Sequence, residues 1–134
     1  MPMPTKMVTD SRYGEELPLH DAIVRFSDDG IPEVEVSWVH QHGDVCRLID
    51  VRNLDSHTGA LGHVAGAELI PVSALEQLVQ AWPLDEPIIL FCKDGQLAAE
   101  AVQMLLDMGY TRVASMHGGM DAWHQQGYPV SYDC

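Results

Sequence analysis

A chain of 134 residues, 46% hydrophobic and 20% charged, is long enough for one domain with one core and too short for two. Seven basic against twenty acidic residues give a formal net charge of −13, which repels a phosphate backbone and excludes nucleic acid as an expected partner. The longest apolar runs, such as Ile88 to Phe91, fall far short of the roughly 20 residues of a membrane span, and the polar start from Met1 to Asp10, with two prolines, does not read as a secretory signal, so the expectation is a cytoplasmic protein with no membrane partner.

Residues 1–30 read as an N-terminal arm with a possible short strand from Ala22 to Phe26, closed by the turn signal Ser27-Asp28-Asp29-Gly30. Residues 31–134 read as the folded domain. After Pro32, the alternation of Val34 and Val36 predicts another short strand, and Ser37 is the expected cap of a helix from Trp38 to about His42. Arg47 to Val51 reads as a buried strand and Ala67 to Pro71 as a second, shorter one. Ser73 opens a helix carrying Leu75, Leu78 and Val79 at i, i+3, i+4 spacing, stopped near Trp82-Pro83. Pro87 introduces Ile88-Ile89-Leu90-Phe91, the most apolar strand and the expected centre of the sheet. Ala98 to Met108 is an amphipathic helix ended by Gly109; Arg112 to Met116 is the last strand, and Gly119 to Gln126 the last helix. Strands alternating with helices imply an α/β fold, a parallel central sheet of about five strands with helices on both faces.

Three cysteines, Cys46, Cys92 and Cys134, make an odd count with no CxxC and no paired Cys/His spacing. That pattern argues against structural zinc and against a disulfide framework. Cys92 directly follows the expected central strand, at the carboxyl edge where open α/β sheets gather their reactive groups. The segment Lys93-Asp94-Gly95-Gln96-Leu97-Ala98 then leads into a helix. Gly95 permits the positive φ of a tight loop, and successive backbone N–H groups there form an anion-binding nest reinforced by the helix dipole. Helix N-termini lower cysteine pKa values toward roughly 3.5–7.5, so Cys92 reads as a nucleophilic thiolate. Cys46 reads as core filler. Cys134, the last residue, is expected to be exposed, and its use as a resolving thiol is the lesser reading.

At this point the order of motifs resembles a single rhodanese-homology domain, a family of sulfurtransferases. The matching pieces are Leu48-Ile49-Asp50-Val51-Arg52, Gly62-His63-Val64-Ala65-Gly66-Ala67, Ile70-Pro71, Phe91-Cys92-x-x-Gly95 and Gly118-Gly119-Met120-Asp121-Ala122-Trp123, and they span roughly residues 33 to 130. The insertion Thr58-Gly59-Ala60-Leu61 resembles versions found beside, or fused to, persulfide dioxygenases. The resemblance implies that Cys92 takes the outer sulfur of a persulfide or thiosulfate donor, carries it as a persulfide, and passes it to a thiol or cyanide acceptor. It implies neither a metal nor an organic cofactor, and it leaves room for a persulfide-handling partner protein.

The loop, Lys93 to Ala98, is then the expected substrate-binding element. Asp50, Arg52, His63, Gly118 and Gly119 are expected as structural support: Asp50 and Arg52 as a pair locking loops, His63 as a loop anchor, and the two glycines as a close approach to the Cys92 loop. Trp123 reads as core. The family's loop commonly ends in arginine and then serine or threonine, where this chain has Leu97 and Ala98. Losing that fork of donors weakens the case for thiosulfate. A catalytically weak sulfur carrier or binding module is therefore the alternative to an active sulfurtransferase. Related cysteine phosphatases and arsenate reductases need a roomier loop holding an arginine, and this chain lacks one.

Overall fold

A computed structural model describes residues 25–133. The arm before Arg25, including the Ala22 to Val24 part of the expected first strand, and Cys134 lie outside the described residues. Five parallel strands, β2 (Pro32–Val34), β3 (Arg47–Asp50), β4 (Glu68–Leu69), β5 (Ile88–Phe91) and β6 (Val113–Met116), lie in the order β2-β6-β5-β3-β4. A sixth short strand, β1 (Arg25–Phe26), pairs antiparallel on the outer edge of β2, with Phe26 opposite Pro32. The interleaved helices are α1 (Val36–His42), α2 (Leu54–His57), α3 (Val72–Leu78), α4 (Gln96–Asp107) and α5 (Gly119–Gln125). None of these is long and apolar enough to cross a membrane.

All four residues of β5 are fully buried, the pattern of a strand covered on both faces. On one face Ile49, Val51, Ile88 and Leu90 pack against Leu75 and Val79 and against the Ala98, Ala101, Val102 and Leu105 stripe of α4. On the other, Leu48, Ile89, Phe91 and Met116 pack against Val36, Val39, Met120 and Trp123 from α1 and α5. The register places Asp50 opposite Phe91 and continues with the Val51 amide bonded to the Phe91 carbonyl at 3.1 Å. Strands β3 and β5 therefore end level, and the chain beyond each emerges side by side at the carboxyl edge.

Three local features differ from the sequence reading. Val36 opens α1 instead of ending a strand: Glu35 is the extended residue before the helix, its carbonyl accepting from Trp38 and Val39, and Ser37 lies inside the helix, not at its cap. One buried face, Val36 with Val39, suits a helix as well as it suits a strand when only two apolar residues define it. The short α2 has no apolar periodicity to announce it; it is held by Asn53, whose Oδ1 accepts from the Ser56 amide at 2.9 Å. Helix α4 starts at Gln96, two residues early, because Gly95 adopts φ 101° and turns the chain straight into it.

In α3, Leu75 is fully buried and Leu78 is 52% exposed, although their spacing fits one stripe. Truncation should separate the two. Leu75→Ala should cost about 2–5 kcal/mol and Leu78→Ala within about 0.5 kcal/mol, read from urea midpoints at unchanged m-value. Equal losses would contradict the packing described.

Candidate active site

Cys92 follows β5 at once and is 2% exposed. Its Sγ accepts hydrogen bonds from two backbone amides, Gly95 at 3.1 Å and Ala98 at 3.4 Å. Both amides belong to the entry of α4, where the first N–H groups have no partner inside the helix. The positive end of the helix dipole points the same way. Asp94 steadies the turn by accepting from the Gln96 amide at 3.1 Å, and the Gly95 carbonyl accepts from Ala99 at 3.0 Å. The result is a sulfur held in a small concavity of N–H dipoles, an arrangement that suits an anionic sulfur better than a neutral one.

The loop rests on the start of α5. The Cys92 and Lys93 carbonyls accept from the amides of Met120 and Asp121, both at 2.9 Å. Gly119 makes this approach possible: a Cβ built on it would stand 2.4 Å from the Cys92 carbonyl oxygen and 2.6 Å from that of Lys93, and its φ is +58°. Lys93 extends to the surface and pairs with Asp121 at 3.1 Å.

Behind the loop lies a buried polar cluster. The Asp50 carboxylate, fully buried, takes Arg52 side-on, Oδ1 accepting from Nε at 2.9 Å and Oδ2 from Nη2 at 2.7 Å, with the Arg52 amide adding a bond at 3.0 Å. Nη2 also reaches the Gly62 carbonyl at 2.7 Å. His57 Nδ1 bonds the second Asp50 oxygen at 2.8 Å, His63 Nδ1 bonds the His57 carbonyl at 2.6 Å, and the two imidazoles stack with centroids 3.5 Å apart. Backbone bonds from His63 to Ser131 tie the cluster to the C-terminal segment. Burial alone would raise the Asp50 carboxyl, but the bonds from Arg52 and His57 outweigh it and hold the group below the usual carboxylate range.

A cavity of about 300 Å³ opens over Cys92, its wall formed by Arg52, Ser56, Lys93, Asp94, Gln96, Leu97 and Glu100. The structure thus brings Cys92, Arg52 and most of the loop to one hollow. Ala98 is buried beneath the sulfur, Asp50 and His63 stand behind, and Gly118 and Gly119 lie under the loop. Sequence reasoning missed Ser56, His57 and Glu100. The first two belong to α2, which carries no apolar pattern; Glu100 was signalled only by lying one turn beyond Gln96 on α4. A larger hollow of about 560 Å³, lined by Cys46, Val39, Leu48 and Trp123 among others, holds no comparable chemistry. Burial pushes the Cys46 thiol up to about 12, so it stays protonated at neutral pH.

Residues 35–126 match the family model described as Rhodanese-like domain. A thiosulfate sulfurtransferase GlpE from Stutzerimonas stutzeri is 32% identical over 104 residues, spanning 77% of this chain and 92% of that protein. The structure of the human single-domain sulfurtransferase TSTD1 superposes with a TM-score of 0.63 at 27% identity, over 72% of this chain and 98% of that one. A rhodanese-related protein from Thermoplasma volcanium gives a TM-score of 0.67 at 24% identity, over 75% of this chain and 98% of that one, and shares the fold.

The buried cluster yields a signed expectation. Because the Asp50 carboxyl is lowered on folding, its contribution to stability is complete above its unfolded value near pH 4 and is lost as pH falls through the lower folded value. Asp50→Asn leaves Arg52 buried beside a neutral group and should cost about 3–5 kcal/mol at neutral pH. Urea titrations across pH should show the gap between variant and parent closing in acid; a gap independent of pH would contradict the charge assignment.

Proposed function

The chain belongs to the family of rhodanese-like domains, and from that premise we propose that it is a sulfurtransferase whose carrier is Cys92. The observation that carries this reading is the pair of amides, from Gly95 and Ala98, aimed at the Cys92 sulfur. In the proposed cycle the Cys92 thiolate attacks the outer sulfur of a persulfide R–S–SH. The S–S bond of the donor breaks, R–S⁻ leaves with the electron pair, and Cys92 becomes a persulfide. A thiol or cyanide acceptor then attacks that outer sulfur, and the electron pair of the breaking bond restores the thiolate. The two steps give ping-pong kinetics. The loop amides support the anionic sulfur in both resting and loaded forms.

Persulfide is the donor that fits this loop best. Thiosulfate carries two negative charges beside the transferred sulfur and gains most from a fixed guanidinium. Here Leu97 and Ala98 stand at the loop's end, Lys93 is tied to Asp121, and Arg52 already faces Asp50. The same feature favours a second reading, a sulfur carrier that turns over slowly with small molecules. Turnover of glutathione persulfide with cyanide, read as thiocyanate above the uncatalysed rate, separates the two, since a carrier gives little.

Cys92→Ser should lower sulfur transfer from glutathione persulfide by about 10³-fold or more, with the melting temperature little changed because the replacement is nearly isosteric. A folded Cys92→Ser variant that still turns over would move the carrier role to another thiol and overturn the assignment.

A further inference from the structure

Around the Cys92 cavity the charges do not balance. Of its two cationic wall residues, Arg52 is paired with Asp50 at 2.7 Å and Lys93 with Asp121 at 3.1 Å. The carboxylates of Asp94 and Glu100 stand in the same wall, and both residues are exposed. Neither forms a salt bridge among the described residues. Asp94 also borders the neighbouring hollow, which holds Glu35 and Asp121. Between the two rim carboxylates lies Leu97, a large apolar side chain 36% exposed.

An apolar spot beside an acidic rim, on a chain of formal net charge −13, is complementary to an apolar contact flanked by positive charge. A small anion meets the rim's repulsion and has no part that can use Leu97. A polypeptide can use both, since an apolar residue beside the reactive cysteine covers Leu97 while basic neighbours face Asp94 and Glu100.

Resting on the sulfurtransferase reading above, we propose that the donor is a cysteine persulfide within a polypeptide segment whose flanking residues are basic, selected by Asp94 and Glu100. The chemistry is the exchange already given: the segment's outer sulfur bonds to Cys92, its S–S bond breaks, and its cysteine departs as a thiolate.

The test uses three synthetic peptides that differ only in having lysine, serine or glutamate on either side of one persulfidated cysteine, with free cysteine persulfide as a fourth donor. Loading of the full chain is followed by intact mass. Several charge pairs at separations of roughly 8 Å in water-like dielectric give a combined lysine-over-glutamate preference of about tenfold at low ionic strength, shrinking as salt screens it. Glu100→Lys and Asp94→Asn, the latter keeping the oxygen that accepts from Gln96, should each reduce the preference several-fold in folded protein, and their double variant should nearly abolish it.

Equal loading by all three peptides would overturn the inference and leave the sulfurtransferase reading standing. A preference untouched by the rim variants would assign it to the overall charge and remove Asp94 and Glu100 as selectors. Free cysteine persulfide loading as fast as the lysine peptide would replace the polypeptide donor with a small molecule. No loading from any donor would overturn the underlying reading itself.

Discussion

Two backbone amides, those of Gly95 and Ala98, converge on the sulfur of Cys92, and much of the chain serves to keep them there. Their direction is fixed by three conditions that must hold together. Strand β5 must end at Phe91, Gly95 must take a positive φ, and α4 must begin without a longer connecting loop. The fully buried residues of β5 and the apolar stripe of α4 supply the first and third conditions. A side chain at Gly95 would tax the second. The Cys92 and Lys93 carbonyls of the same loop are bound by the amides of Met120 and Asp121, which open α5. Two loop donors thus face the sulfur while two loop acceptors are held by the scaffold.

The cluster of Asp50, Arg52, His57 and His63 holds the other wall. A bidentate ion pair out of water is costly to form and costlier to break. Here it is bonded further through Gly62, the Arg52 amide and His57. It links the end of β3 to α2, to the loop at Gly62 and, through His63, to the C-terminal segment. Such a cluster fixes geometry more than it adds net stability, and what it fixes is the wall facing Cys92. Its position follows from register: Asp50 lies opposite Phe91, so the chain two residues on brings Arg52 beside Cys92.

Much of this was legible in the sequence because it depends on strong local signals. The apolar run of Ile88 to Phe91, the glycine at 95 and the stripe of α4 specify strand, turn and helix unaided, and they carry the Cys92 loop with them. The Gly118-Gly119 pair marked a close approach; in the structure a Cβ on Gly119 would meet the carbonyls of Cys92 and Lys93, whereas one on Gly118 would meet Ala122. The parts that were not legible depend on tertiary contact. Val36 has the same apolar character in a strand as in a helix. His57 is placed by a four-residue helix with one capping side chain, and its stacking on His63 is set by the path of the intervening loop. Glu100 looks like any solvated helical residue until the fold sets it in the wall over Cys92.

A sulfur carried on Cys92 can be weighed. Intact-mass analysis of the purified chain after exposure to glutathione persulfide, followed by peptide mapping, reads both the gain and its position. The account predicts a gain of one sulfur atom on the peptide carrying Cys92, discharged by cyanide with return to the starting mass. A stable gain on Cys46 or Cys134 with Cys92 unmodified would contradict it.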